Sequence, residues 1–144
     1  MIVPQDLKAL IVDDNAHARA AMAATLRKLG LAEIDEHTGA ASATGAILGT
    51  RYDIVFLDWY MPEMTGGALL EILGSPYFPA GKRPPVVMVT AYPNRDTFAR
   101  ARELGVGEIL VKPFTVAQVA TALGKLVPGG WDLEEEQGAA QVLL

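Results

Sequence analysis

Cysteine is absent from this chain of 144 residues, so neither disulfide bonds nor a thiolate-ligated metal site can form. A basic excess is also missing, and the formal net charge of -5 argues against direct binding to the phosphates of nucleic acid. No apolar run approaches the ~20 residues needed to cross a bilayer. The N-terminal stretch lacks the basic region and the cleavage site of a signal peptide. These absences favour a cytoplasmic globular domain.

Short apolar runs alternate with helical patterns along most of the chain. Four runs are rich in β-branched residues and lack polar alternation, which is typical of strands covered on both faces of a parallel sheet. They are ALIVD at 9–13, IVFLD at 54–58, VVMVT at 86–90 and EILVK at 108–112. A fifth, more polar run, AEIDEH at 32–37, is predicted to be an edge strand.

Helical patterns follow each of these strands, at residues 15–29, 40–48, 66–73, 95–104 and 116–127. Gly30 and Gly105 indicate where the first and fourth helices end. Asn94 is a suitable N-cap for the fourth helix, and Thr115 with Gln118 predicts a capping box at the start of the fifth.

Strict alternation of strands and helices predicts an α/β fold with right-handed crossovers and helices on both faces of a parallel sheet. The chain length suits a single domain with a substantial core. We expect that domain to span residues 1–127. The pattern stops after it, and residues 128–144 are expected to form a flexible C-terminal tail.

Polar side chains stand at the carboxyl ends of four predicted strands. They are Asp13, which is followed by Asp14, then Asp58, Thr90 and Lys112. A single acid in such a place is most often a helix cap or a turn former. Because the carboxyl ends of parallel strands meet at one edge of the sheet, we expect all of these side chains to converge there.

Three carboxylates beside one lysine keep a surplus of negative charge, which requires a cation or bound protons. Oxygen ligands without histidine or cysteine favour Mg²⁺ over Zn²⁺. A carboxylate nucleophile, a metal, a lysine and a hydroxyl together fit a phosphoryl acceptor. Asp58 is the predicted nucleophile, because it ends the central buried strand and the other two acids end its neighbour.

The sequence resembles the receiver domains of two-component response regulators, the CheY-like group. The matching pieces are VDDN at 12–15, LDWYMPEMTG at 57–66, MVTA at 88–91 and VKPF at 111–114, and the resemblance covers about residues 6–127. It implies a flavodoxin-like (βα)5 doubly wound fold with strand order 2-1-3-4-5. It also implies Mg²⁺ dependence and phosphorylation by a histidine kinase or a histidine phosphotransfer protein.

The resemblance also assigns roles at the metal. It implies that Asp58 is the phosphoacceptor and a metal ligand, that Asp14 binds the metal directly, and that Asp13 assists largely through water. The backbone carbonyl of Tyr60 is implied as a further ligand.

Other residues receive roles around the phosphoryl group. The resemblance implies that Lys112 pairs with the phosphoryl oxygens and that its bond to Pro113 is cis. It further implies that the hydroxyl of Thr90 moves toward the phosphoryl group and that the small Ala91 leaves room for that group.

Two features depart from the family pattern. Receivers usually carry Tyr or Phe three residues before the lysine, where this chain has Ile109. We expect the face formed by the fourth helix, fifth strand and fifth helix to respond nevertheless, through backbone and packing shifts. Tyr60 and Tyr92, two residues beyond Asp58 and Thr90, are bulky enough to hinder water and lengthen the active state; the alternative is that both rings point to solvent or a partner.

The leading functional hypothesis is a stand-alone phosphorylation switch without further enzymatic activity, whose phosphorylated form binds a target protein or dimerises. A receiver fragment of a hybrid kinase or transcription regulator is an alternative. A phosphohydrolase with an aspartyl-phosphate intermediate is a remote one, because such enzymes carry a second acid two residues after the nucleophile and this chain has Tyr60 there. A phosphorylation-independent module would generally lack part of the acidic cluster, which is complete here.

Overall fold

A five-stranded parallel sheet with order β2-β1-β3-β4-β5 forms the centre of the protein in a computed structural model that describes residues 3–127. The strands are β1 (Lys8–Val12), β2 (Glu33–His37), β3 (Ile54–Asp58), β4 (Val86–Thr90) and β5 (Glu108–Val111). This arrangement confirms the predicted flavodoxin-like α/β fold and its strand order. The predicted tail at 128–144 lies outside the described residues.

One helix follows each strand. The helices are α1 (Ala16–Lys28), α2 (Ala40–Gly49), α3 (Gly66–Leu73), α4 (Arg95–Glu103) and α5 (Val116–Leu126). Two short 3-10 turns, at Pro4–Asp6 and Ala80–Lys82, were not predicted. No helix within residues 3–127 is long and apolar enough to span a membrane.

The two faces of the sheet bury separate hydrophobic clusters. Helices α1 and α5 cover one face, against side chains such as Ile11 and Phe56, while α2, α3 and α4 cover the other, against Leu10 and Leu57. Successive residues of β1 and β3 therefore point into different clusters, which explains why these strands show no polar alternation. Burying each such side chain contributes about 1.5–3 kcal/mol, so the positions of the strand ends are firmly set.

Local signals fix where the helices begin and end. Asn94 accepts hydrogen bonds from the backbone N–H groups of the first turn of α4, and Thr115 with Gln118 forms the predicted capping box of α5. Gly30 and Gly105 follow α1 and α4 with φ of 100° and 94°, conformations that favour glycine.

Strands β1 and β5 end one residue earlier than the sequence predicts, at Val12 and Val111. Asp13 and Lys112 therefore begin the following loops. Their backbone N–H groups still donate to neighbouring strands, over 3.1 Å to His37 and 2.8 Å to Thr90. Asp13 and Lys112 nevertheless both lie at the carboxyl edge of the sheet.

Candidate functional site

Three carboxylates meet at the carboxyl edge of the sheet. Asp13 and Asp14 follow β1, and Asp58 ends the adjacent strand β3. One oxygen from each lies within 4.8 Å of the others. Asp13 and Asp58 are buried, whereas Asp14 is exposed. The convergence that parallel topology predicts is thus present in the structure.

Lys112 supplies the positive charge of the cluster. Its Nζ lies 2.9 Å from Oδ2 of Asp13 and 3.6 Å from Oδ1 of Asp58. Burial alone would lower the pKa of this ammonium, but the hydrogen bond to Asp13 and the charges of Asp58 and Asp13 outweigh it and raise the pKa. Lys112 therefore remains a cation at neutral pH.

Burial and neighbouring charges perturb the carboxyl group of Asp58. Burial, and next the negative charge of Asp13, raise its pKa to about 6, although Lys112 lowers it and Asp14 adds a smaller rise. The carboxylate is ionised at neutral pH but at a free-energy cost. A cation bound beside it would remove that cost.

The carboxylates of Asp13 and Asp14 differ in the hydrogen bonds and ion pairs that they already make. Asp13 accepts the backbone N–H of Asn15 at 2.9 Å on one oxygen and Lys112 at 2.9 Å on the other. Arg19, a residue the sequence did not single out, donates from Nη1 to the backbone carbonyl of Asp13 over 2.8 Å. Within residues 3–127, no hydrogen bond or ion pair engages the carboxylate of Asp14. Asp14 is therefore better able to bind a ligand directly.

Thr90 ends β4 next to Asp58, as the sequence predicts. Its side chain is fully buried, and its Oγ1 accepts the backbone N–H of Tyr92 at 3.0 Å. Ala91 between them is exposed and has only a methyl group to fill the space beside the site.

The loop after β3 is compact because Gly66 packs against the backbone of the site. Its N–H donates to the carbonyl of Trp59 over 2.8 Å. A Cβ at Gly66 would lie 2.8 Å from the backbone oxygen of Asp58, closer than real Cβ atoms come. This contact holds the segment that carries the Tyr60 carbonyl in place.

Tyr60 and Tyr92 form an aromatic pair across the loops that follow β3 and β4. Their ring centroids are 5.6 Å apart in an edge-to-face arrangement, and the rings are 42% and 67% exposed. The hydroxyl of Tyr60 lies 3.3 Å from Oγ1 of Thr97 in the first turn of α4. The sequence indicated that both rings stand near the site, but it gave no signal for their contact or for Thr97.

Ile109 precedes Lys112 by three residues in β5, and Pro113 follows Lys112 directly. Ile109 pairs with Met88 in the sheet register and packs, partly buried, against the cluster on the α2, α3 and α4 face. That the face formed by α4, β5 and α5 responds despite the aliphatic side chain at this position stays a prediction. Pro113 is exposed, and the peptide bond between Lys112 and Pro113 is cis, as the family resemblance implied.

The donor set of the site fits a small hard divalent cation. All three acids offer oxygen, and the lysine leaves two of their negative charges uncompensated. The three oxygens lie close enough together for one such cation to be held between them, directly or through the water molecules that Mg²⁺ usually keeps. Among the described residues, neither histidine belongs to this cluster, which disfavours zinc.

Residues 9–124 match the family model of the response regulator receiver domain. The chain is similar to the chemotaxis protein CheY-3 of Vibrio cholerae, with 34% identity over 125 residues, 87% of this chain and 95% of that protein. It is also 34% identical to the chemotaxis protein CheY of Pseudomonas aeruginosa over 120 residues, covering 83% and 95% of the two chains. Its structure is similar to that of the Vibrio cholerae chemotaxis protein CheY4, with a TM-score of 0.73, 26% identity, and coverage of 84% of this chain and 98% of that one.

Proposed function

The chain belongs to the family of response regulator receiver domains and is a phosphorylation-dependent signalling switch; we propose that Asp58 is the residue on which it accepts the phosphoryl group. Receivers accept this group on an aspartate with the help of Mg²⁺. The observation that carries the proposal is the meeting of Asp13, Asp14 and Lys112 around the buried Asp58. No other acid of the chain was predicted for this role.

Asp14 and Asp58 are the proposed direct ligands of Mg²⁺, together with the backbone carbonyl of Tyr60. Asp13 assists largely through water, because Asn15 and Lys112 already engage both of its carboxylate oxygens. When bound, Mg²⁺ neutralises charge on the phosphoryl oxygens and on the acids. Two features support this assignment: no hydrogen bond or ion pair within residues 3–127 engages the Asp14 carboxylate, and the cluster has a surplus of negative charge.

The reaction that we propose is a direct phosphoryl transfer. A carboxylate oxygen of Asp58 attacks the phosphorus of a phosphohistidine or of a small acyl phosphate, the bond from phosphorus to the donor breaks, and its electron pair leaves with the donor. Lys112 pairs with a phosphoryl oxygen, and the Thr90 hydroxyl moves toward another. Ala91 leaves space for the group, and Pro113 fixes the backbone after Lys112.

The partners of a receiver are, in general terms, a histidine kinase and a downstream target. We expect the phosphoryl donor of this chain to be a sensor histidine kinase or a histidine phosphotransfer protein, and phosphorylation to favour dimerisation. The proposal places the protein in the cytoplasm, where ATP-dependent kinases act. Its negative charge argues against direct binding to nucleic acid.

We do not propose an enzyme acting on a separate substrate; the only turnover proposed is phosphorylation and dephosphorylation of Asp58 itself. A phosphohydrolase would need an acid at position 60 to protonate a leaving group. Tyr60 stands there instead, and its hydroxyl is near Thr97 rather than at the acids. Steady hydrolysis of a phosphate monoester by the purified protein would contradict this part of the proposal.

The direct test uses acetyl phosphate and the fluorescence of Trp59, the residue after Asp58. Wild type is incubated with acetyl phosphate, with Mg²⁺ or with a chelator, beside Asp58→Asn and the exposed control Asp6→Asn. We expect a mass increase and a fluorescence change in wild type and Asp6→Asn only, and only with Mg²⁺. Equal phosphorylation of Asp58→Asn would overturn the assignment.

A further inference from the structure

Three side chains link helix α4 to the proposed phosphorylation site. They are the ring pair, Tyr60 and Tyr92, and the side chain of Thr97 in α4. Tyr60 and Tyr92 pack edge to face at 5.6 Å, and the Tyr60 hydroxyl contacts Oγ1 of Thr97 at 3.3 Å. An edge-to-face aromatic pair contributes about 0.5–1.5 kcal/mol beyond the area that it buries. The group therefore links the loop after β3, the loop after β4 and the first turn of α4.

Both tyrosines are anchored to groups that take part in the proposed chemistry. The N–H of Tyr92 donates to Oγ1 of Thr90 over 3.0 Å, and Thr90 is the hydroxyl proposed to move toward the phosphoryl group. Tyr60 follows Asp58 by two residues, and its carbonyl is the proposed metal ligand. A change at either anchor therefore changes the position of a ring.

The rest of α4 makes few buried contacts with the domain. Only Ala101 of its nine residues is buried, with Phe98 and Leu104 partly buried against the same cluster. Arg100 pairs with Glu71 and Glu103, but all three side chains are more than half exposed, and such pairs contribute little. Asn94 caps the first turn from within its own loop, and the Thr97 hydroxyl adds a contact that joins this turn to the loop after β3.

We propose that Thr97 is a positioning residue for the phosphoryl group, acting through Tyr60: its hydroxyl holds the Tyr60–Tyr92 pair in place across the site and thereby couples helix α4 to the lifetime of phosphorylated Asp58. The inference rests on the proposed function of Asp58. Because the Tyr60–Thr97 contact joins the two regions, a partner that binds α4 and displaces Thr97 releases the ring pair and changes the phosphoryl lifetime. A shift of the rings on phosphorylation changes the position of α4 through the same contact.

The test measures the half-life of the phosphoryl group on Asp58 after the donor is removed. Thr97→Val keeps the shape of the side chain and removes its hydroxyl, Thr97→Ser keeps the hydroxyl, and Tyr60→Phe removes the other half of the contact. Tyr77→Phe removes a hydroxyl from a side chain that is 96% exposed and serves as the matched control.

Loss of one hydrogen bond changes an equilibrium by about two- to ten-fold. We expect Thr97→Val and Tyr60→Phe each to shorten the half-life by that factor, because the released rings admit water. The double variant should be no faster than either single variant, since both remove the same contact. Thr97→Ser and Tyr77→Phe should stay within two-fold of wild type.

Three results would overturn the proposal. They are unchanged half-lives in both hydroxyl-deletion variants, additive shortening in the double variant, and a Thr97→Ser half-life as short as that of Thr97→Val. Phosphoryl incorporation into wild type is measured first: its absence contradicts the proposed function, whereas normal incorporation with insensitive half-lives contradicts only the role of Thr97. Amide spectra of residues 95–103 add a second readout, and their change on phosphorylation should shrink in Thr97→Val.

Discussion

Lys112 and Asp13 are separated by 99 residues in the chain, yet the lysine ammonium donates a hydrogen bond of 2.9 Å to the aspartate carboxylate. The same ammonium is 3.6 Å from Asp58. Parallel topology accounts for the meeting, because it directs the ends of β1, β3 and β5 to one edge of the sheet. The lysine thus offsets part of the charge that makes the edge attractive to a divalent cation.

Replacing Lys112 should separate metal binding from phosphorylation. Lys112→Met removes a cation from the acidic cluster, so we expect Mg²⁺ to bind at least about two-fold more tightly. The same change removes a charge that stabilises developing negative charge on the phosphoryl oxygens, so phosphorylation by acetyl phosphate should slow by about 10²-fold or more. Fluorescence titration with Mg²⁺ and intact-protein mass spectrometry measure the two effects.

The control for this change is Lys125→Met, at an exposed lysine that pairs with Glu108 over 3.4 Å. It should alter neither quantity. Phosphorylation of Lys112→Met at the rate of the control would mean that Lys112 does not contact the phosphoryl group.

Asp58→Asn should stabilise the metal-free protein at neutral pH. The pKa of Asp58 is raised to about 6, mainly by burial, so between about pH 4 and 6 the folded protein holds a proton that the unfolded chain releases. The free energy of unfolding of wild type therefore falls as pH rises through that window. The rise from an ordinary value near 3.9 corresponds to about 3 kcal/mol, the largest gain expected for the asparagine variant above pH 6.

Urea unfolding of both proteins in a chelator, at pH 4 and pH 7.5, measures this gain. The two proteins should be nearly equal in stability at pH 4 and differ by about 2–3 kcal/mol at pH 7.5. Added Mg²⁺ should then stabilise wild type far more than the variant. An asparagine variant less stable than wild type at pH 7.5 without metal would contradict the electrostatic account.

The α/β class and the acidic cluster followed from the sequence because both depend on local patterns combined with one topological rule, whereas the strand order came from the resemblance to receiver domains. Unbroken apolar runs such as 54–58 indicated strands covered on both faces, and parallel pairing then brought their polar last residues together. The capping roles of Asn94 and Gly105 could also be predicted from the sequence, since capping depends on neighbouring residues in the chain.

Contacts between residues without such a pattern could not be predicted. Tyr60 and Thr97 are 37 residues apart and meet only because the loops after β3 and β4 pack side by side. Arg19 reaches the Asp13 carbonyl from a helix whose sequence gives no reason to single it out. The end of β1 was misplaced by one residue because the Asp13 side chain turns back to the N–H of Asn15.

Gly66 should be intolerant of a side chain. In Gly66→Ala, the new methyl group would meet the backbone oxygen of Asp58 at 2.8 Å, so the loop must shift. We expect a loss of about 1–3 kcal/mol in the free energy of unfolding and weaker Mg²⁺ binding, since the Tyr60 carbonyl moves with the loop. Denaturant unfolding and Mg²⁺ titration are the measurements.

Gly45→Ala is the matched control, because nothing lies within 4 Å of a Cβ at this position inside α2. It should stabilise the protein by about 0.5–1 kcal/mol, as alanine in a helix interior normally does. Equal effects of the two substitutions would mean that the close approach at Gly66 is unimportant.

The ring pair itself should protect phosphorylated Asp58 from water. Tyr60→Asn with Tyr92→Glu removes both rings and introduces polar groups that can orient water, so we expect hydrolysis of the phosphoryl group to accelerate about ten-fold or more. The decay of the phosphorylated mass after donor removal gives the rate. No acceleration would indicate that the rings serve another purpose, such as partner contact.

Chemical mapping of the phosphorylated residue tests the central claim most directly. After incubation with acetyl phosphate and Mg²⁺, reduction of the acyl phosphate with borohydride converts the modified aspartate into homoserine, which tandem mass spectrometry locates. The account predicts homoserine at position 58 alone, and none when Mg²⁺ is chelated. Homoserine at position 13 or 14, or equal modification at position 58 without the metal, would contradict it.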